Sequence, residues 1–97
     1  MVKVFKSALG LIQPMKYRLK IEVGLKPGHS DPEGETTARL LRELGYKVER
    51  VGVSKVYSVV VLADSRDEAL AKAEEMCKRL LANPTKDNYT IMVEEER

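Results

Sequence analysis

Cys77-Lys78-Arg79-Leu80-Leu81-Ala82-Asn83-Pro84, followed by Tyr89-Thr90-Ile91-Met92-Val93, is the stretch that decides how this chain is read. Its first half is the end of an amphipathic helix, and Asn83-Pro84 is the stop: Asn tolerates the left-handed cap and Pro cannot continue a helix. Its second half alternates apolar and polar side chains with the period of a half-buried strand. Toward the N-terminus, Ser65 and Glu68 have capping-box spacing. Ala69, Leu70, Ala73, Met76, Cys77, Leu80 and Leu81 recur at three- and four-residue steps and predict the buried face of that helix. Upstream, Val56 to Leu62 predicts a strand, and Val48 to Lys55 predicts another, with Val51 and Val53 on one face and a tight reversal near Ser54-Lys55.

The front of the chain reads as a strand followed by a helix. Tyr17, Leu19, Ile21, Val23 and Leu25 alternate with Lys16, Arg18, Lys20 and Glu22, which predicts a strand with one core face. Lys26-Pro27-Gly28-His29 suits a type II turn, because Pro presets its second position and Gly tolerates positive φ at its third. Asp31 is placed to cap a helix with Pro32 in its first turn. Thr37, Leu40, Leu41 and Leu44 predict its buried stripe, and Gly45 its end. The order β-α-β-β-α-β predicts an α+β fold of the ferredoxin-like, split βαβ kind, with two helices on one face of a four-stranded antiparallel sheet. In the strand at 56–62, Tyr57, Val59 and Val61 point one way and Val56, Val60 and Leu62 the other. A strand apolar on both sides needs cover on both, most economically from a second copy of the chain.

Ninety-seven residues suit one domain, expected over 16–97, with 1–15 as an N-terminal extension. Val2, Val4 and Phe5 alternate with Lys3 and Lys6 there, and Ala8-Leu9-Gly10-Leu11-Ile12 is too short to span a bilayer. Gln13-Pro14-Met15 does not resemble a secretory cleavage site, so a soluble cytoplasmic protein is expected. Seventeen basic against fifteen acidic residues leave +2, too small a bias to call for a polyanionic partner. The single cysteine excludes an internal disulfide and fits a reducing compartment.

Residues with reactive chemistry read as structural. Cys77 lies on the apolar helix stripe without a partner thiol or neighbouring His, and is read as packing rather than as a nucleophile. His29-Ser30-Asp31 is not a triad, since triads assemble from separated positions; His29 is read as a solvated loop residue. No zinc or calcium spacing is present, and Glu94-Glu95-Glu96 reads as a solvated end. Asp31, Glu33 and Glu35 occupy the helix start where a phosphate would otherwise bind, and Gly24, Gly28 and Gly34 lack phosphate-loop spacing. Nucleic acid is disfavoured because Lys16, Arg18, Lys20, Glu22 and Gly24 offer no ring for base stacking, Tyr57 being the one candidate nearby. A ligand-binding regulatory domain is a third use of such a fold, with Lys26-Pro27-Gly28 as its loop by fold analogy alone.

Taken together, Asp31-Pro32-x-Gly34, Leu44-Gly45, Lys55 and Leu80-Leu81-Ala82-Asn83-Pro84 with Tyr89 resemble the PurS family, the small subunit of phosphoribosylformylglycinamidine synthase, over Tyr17 to Val93. Ser54 stands where the family usually has Gly before the lysine. His29-Ser30 and Thr85-Lys86-Asp87-Asn88 also depart from the pattern, all in loops. The resemblance implies a chain without catalytic residues of its own that binds no cofactor. It implies ATP and magnesium on a PurL-type synthetase subunit, a PurQ-type glutaminase as second partner, and a homodimer or higher assembly. Asp31, Pro32, Gly34, Lys55, Asn83, Pro84 and Tyr89 are the candidate partner contacts. The candidate self-association face is either Tyr57, Val59 and Val61 or Val56, Val60 and Leu62.

Overall fold

The computed structural model describes residues 14–96; the expected extension lies outside the described residues apart from its last two positions. Five elements form in the order β1 (Met15–Leu25), α1 (Pro32–Glu43), β2 (Lys55–Ala63), α2 (Arg66–Met76) and β3 (Asp87–Glu96). The three strands make one antiparallel sheet in the order β2-β1-β3. In β1 the alternation holds along its length: Tyr17, Leu19, Ile21 and Val23 are buried, with Leu19 and Ile21 closed off completely. Across the ladder Leu19 stands beside Val59 and Val93, and Ile21 beside Tyr57 and Ile91. Both Tyr57-Val59-Val61 and Tyr89-Ile91-Val93 therefore share the covered side with β1.

Helix α2 lies on that side and closes the core with small side chains. Its buried positions are Ala69, Ala73, Cys77 and Ala82, a step of four, four and then five. The long step has a cause. Residues Cys77–Leu81 form a π turn, in which the Ala82 N–H donates to the Cys77 carbonyl at 3.0 Å. One extra residue in the turn rotates the chain beyond it, so Ala82 takes the inward place and Leu80 is left 83% exposed. This overturns the expectation that Leu80 belongs to the buried face. The stop differs too: the closing residue is Ala82 in an extended conformation (φ −127°, ψ 140°), not a left-handed Asn83. Asn83 acts through its side chain, whose Oδ1 accepts from Thr85 N at 2.8 Å and Lys86 N at 3.3 Å. That asparagine turn is what leads the chain into β3.

The fourth strand is not there: among the described residues, nothing at 48–54 pairs into the sheet. The reversal at Ser54-Lys55 is absent as well. Val23 pairs with Lys55, Ser54 lies beside Gly24, and the Ser54 hydroxyl donates to Glu22 at 2.7 Å. The chain thus enters β2 in a straight line. Ser54-Lys55 offers neither of the residue types that supply the positive φ of a two-residue hairpin turn. The groups that would have joined the sheet are engaged elsewhere. Val53 N donates to Asp31 Oδ2 at 3.0 Å. Arg42 donates through Nε to the Val48 carbonyl at 2.8 Å and through Nη2 to the Glu49 carbonyl at 2.7 Å.

Segment 48–53 therefore runs back along α1, from its C-terminal end at Arg42 to its N-terminal end at Asp31. The two form an arm at one end of the sheet. Of the expected stripe Thr37, Leu40, Leu41 and Leu44, none is buried; the buried residues of α1 are Gly34 and Ala38. Leu40 is exposed and Leu44 is 74% exposed, so the two helices do not share one layer over the sheet. The helix itself ends as expected. Gly45 has φ +101°, its N–H donates to the Arg42 carbonyl, and Tyr46 N donates to the Leu41 carbonyl at 3.1 Å, the pattern of a Schellman close. The type II turn also forms: Gly28 has φ +90° and His29 N donates to the Lys26 carbonyl at 3.3 Å.

Gly34 is a sharp test of the arm. A Cβ there would run into the Val51 carbonyl oxygen and crowd Asp31 Oδ2. Helix propensity alone would make Gly34→Ala stabilising by about 1 kcal/mol. We expect it instead to destabilise by about 1–3 kcal/mol, as overpacking against backbone does. Gly52→Ala meets nothing within 4 Å and should lie within about 0.5 kcal/mol of the parent, as surface changes do. Urea denaturation monitored by circular dichroism checks both; equal effects would show that the close approach of 51 to 34 is wrong.

Candidate partner interface

The candidate contact residues fall in four places. Asp31, Pro32 and Gly34 build the base of the arm. Asp31 caps α1, its Oδ1 accepting from Gly34 N at 2.9 Å while Oδ2 takes the Val53 N–H. These two backbone donors hold its carboxyl below the usual carboxylate value of 3.8, against a smaller opposing effect of burial. Pro32 occupies the first turn, where its missing N–H costs nothing. The Asp-Pro-x-Gly pattern is therefore more than a helix cap. It clasps a segment some twenty residues downstream, and the small fourth residue lets the backbone of Val51 come close.

Asn83 and Pro84 belong to the turn before β3. Asn83 N donates to Asp87 Oδ2 at 2.8 Å, and the Pro84 carbonyl accepts from Lys26 Nζ at 3.0 Å. Lys26 N also donates to the Lys86 carbonyl at 2.7 Å, so the turns after β1 and after α2 are tied together. Lys55 opens β2 and is exposed. A cleft of about 230 Å3 is lined by Asp31, Val53, Lys55, Leu81, Lys86 and Asp87 among others. It brings the arm base, the Lys55 entry and the Asn83 turn to one end of the sheet. Lys26 was read in the sequence only as a turn residue, Asp87 only as part of a divergent loop, and Arg42 not at all; each binds backbone groups, those of Lys26 lying across the fold at Pro84 and Lys86.

Tyr89 is in a different place. It pairs with Val23 on the covered side, and its hydroxyl donates to Glu74 Oε2 of α2 at 3.0 Å. That bond raises the phenol above its usual value, with burial adding to it. Cys77 is completely closed off; burial, and then the charge of Glu74, pushes its thiol up. On the open side of the sheet, Lys16, Arg18, Lys20 and Glu22 form the central column. Val56, Val60 and Leu62 flank it on one side and Met92 on the other, all exposed. Arg18 reaches Glu96 through Nη2 at 2.7 Å and Nε at 3.0 Å. Tyr17, Tyr57 and Tyr89 lie on the covered side, so the strands present no ring to stack a base on the open one. Among the described residues, no group of three His, Cys, Asp or Glu could hold a metal ion. No described helix is long and apolar enough to cross a membrane.

The family model described as PurS: phosphoribosylformylglycinamidine (FGAM) synthase matches residues 18–95. This chain belongs to the PurS family. It is a subunit of FGAM synthase, an enzyme of purine biosynthesis. The PurS subunit of Archaeoglobus fulgidus is 45% identical over 73 residues, covering 74% of this chain and 91% of that one. PurS of Thermus thermophilus superposes with a TM-score of 0.78 at 36% identity, covering 84% of this chain and 99% of that one. A chain in the structure of PurLQS from Thermotoga maritima superposes at 0.73 with 30% identity, covering 84% and 98%.

Two measurements check this geometry. Native Cys77 should react slowly with a thiol reagent and quickly once unfolded, because the closed apolar site disfavours its thiolate. Rapid native labelling would mean that α2 has the wrong face inward. For Asp31, a lowered folded value means stabilisation that is complete above the ordinary value of 3.8 and lost as pH falls through the lower folded value. Asp31→Asn should be less stable than the parent at neutral pH, and the gap should narrow as the pH drops below 3.8. A gap that stays constant across acid titration would remove the clasp role.

Proposed function

We propose that this chain is the non-catalytic assembly subunit of FGAM synthase, joining a PurL-type synthetase to a PurQ-type glutaminase. Glutamine-dependent amidation of formylglycinamide ribonucleotide then draws on ammonia that passes between the two. The observation that carries this reading is the surface of a PurS-family chain: large aliphatic side chains stand exposed on both the arm and the open sheet face. Exposed apolar area on that scale marks contact with protein. The resemblance to a chain of PurLQS names the class of partner. ATP and magnesium belong to the synthetase subunit, and the assembly works in the cytoplasm. The folded unit spans 16–97, with 1–15 an extension to it.

Within that reading, the end of the sheet where Asp31, Pro32, Lys55, Asn83 and Pro84 gather is the contact region for the other subunits. Gly34 supports it from within by admitting the Val51 backbone, and Tyr89 by tying β3 to α2. Self-association to a homodimer or higher assembly uses β2, an edge strand with aliphatic residues on both faces.

Reconstitution tests the proposal. With cognate synthetase and glutaminase, leaving out this chain should lower glutamine-dependent FGAM formation by about tenfold or more, a barrier difference of about 1.4 kcal/mol. Ammonia-dependent formation by the synthetase should change far less, since free ammonia needs no route between active sites. Lys55→Glu, a surface change, should weaken the glutamine-dependent rate while leaving the circular dichroism melt unaltered. Equal use of glutamine with and without the chain would remove the bridging role.

A further inference from the structure

The open face of the sheet is laid out in columns. Along β2 stand Val56, Val60 and Leu62, each more than half exposed. In the neighbouring column, β1 sets Glu22 beside Val56, Arg18 beside Val60 and Lys16 beside Leu62. The aliphatic column therefore has a cationic neighbour at its Leu62 end and an anionic one at its Val56 end. Helix α2 packs on the other side of the sheet, so no described helix covers this column. An aliphatic column left in water calls for cover.

Residues 1–13 lead into the sheet at the Leu62 end, where Met15 pairs with Ala63. Pro14, which joins them to β1, is exposed and outside the ladder. Both edges of β1 are taken, by β2 and by β3. A chain arriving at Met15 therefore cannot come alongside β1 within the sheet. The covered side is closed at this end. Tyr17 and Ala63 are buried there, and Arg66, the first residue of α2, donates through Nη2 to the Val93 carbonyl at 3.3 Å. The open face is the remaining approach.

We propose that residues 1–12 run back over the open face and cover the Val56, Val60 and Leu62 column of their own chain, with Gln13-Pro14 as the bend. Three features point to this occupant. The first is length: Ile12, Leu9 and Phe5 extend over seven residues, about 23 Å of extended chain, and Leu62, Val60 and Val56 over six, about 20 Å. The second is charge. Residues 7–13 carry none and pass the Lys16 and Arg18 end, whereas Lys3 and Lys6 arrive where Glu22 stands. The third is the tether. A segment held two residues from the sheet has an effective concentration in the millimolar range, without the loss of translational freedom that a separate molecule undergoes. The family match starts at Arg18, so this cover is an addition to the fold that defines the family. It goes beyond the assembly role, and it leaves the end of the sheet around Lys55 to other subunits.

Trypsin and paired cysteines test this in the full chain. Neither measurement involves synthetase or glutaminase, so the outcome is independent of the assembly role. Cutting after Lys6 should be slow in the parent. It should be about tenfold or more faster in the double change Leu9→Asp and Ile12→Asp, since proteolysis follows the population in which the segment is lifted off. Those positions lie outside the sheet, and the circular dichroism spectrum should be unchanged. Under mild oxidation, Leu9→Cys combined with Val60→Cys should close a disulfide within one chain. Leu9→Cys combined with Leu44→Cys, at an exposed position on the arm, should link about tenfold or more slowly, because the tether holds residue 9 near one and not the other. A parent cut after Lys6 as fast as the variant would overturn the proposal. Equal linking of the two cysteine pairs would do the same, and so would a disulfide between two chains, which would give the column to a second copy.

Discussion

One carboxylate organises the half of this protein that departs from its expected fold. Asp31 accepts from Gly34 N at the start of its own helix and from Val53 N at the far end of the segment that returns along it. An N-cap ordinarily closes a helix and nothing else. Here the second oxygen pins a returning chain against α1, and the missing side chain at Gly34 gives the Val51 carbonyl room to approach. At the other end of α1, Arg42 holds Val48 and Glu49 by their carbonyls. Helix and segment become one arm, and the sheet is left with three strands.

The sheet has its own economy of packing. Helix α2 meets the alternating face of β1 through Ala69, Ala73 and Cys77, side chains small enough to let the helix sit close over Leu19 and Ile21. The π turn at Cys77–Leu81 then shifts the phase by one residue. Ala82 closes the core, and Leu80 is turned out to line the groove beside α2. A single extra residue per turn thus decides which of the nearby apolar positions is core and which is surface.

The positions that carry the family resemblance have structural work within one protomer. Asp31, Pro32 and Gly34 build the arm, Asn83 and Pro84 build the turn into β3 together with Lys26, and Tyr89 ties β3 to α2 through Glu74. Such residues shape a contact surface by placing backbone and neighbouring side chains, whether or not they touch a partner themselves. Lys55 differs from the rest: it is exposed, and stands where the arm joins the sheet.

Local signals in the sequence were enough for much of this structure. The period-two faces of β1, β2 and β3, the caps at Asp31 and Ser65, the Gly28 turn and the Gly45 helix end all rest on contacts within a few residues, and all appear. The motif spacing likewise sufficed for the family. Three things needed the tertiary structure. Val48 to Val53 has the composition of a strand, but its hydrogen-bond partners are Asp31 and Arg42, which no local pattern connects to it. The stripe of α1 is apolar by periodicity, yet burial depends on a neighbour, and within one protomer none covers Leu40 or Leu44. The face of the second helix changes at the π turn, a backbone choice between four- and five-residue hydrogen bonds that side-chain period does not record. Residue type and spacing settle which elements can form; only packing settles which surface of each element finds something to pack against.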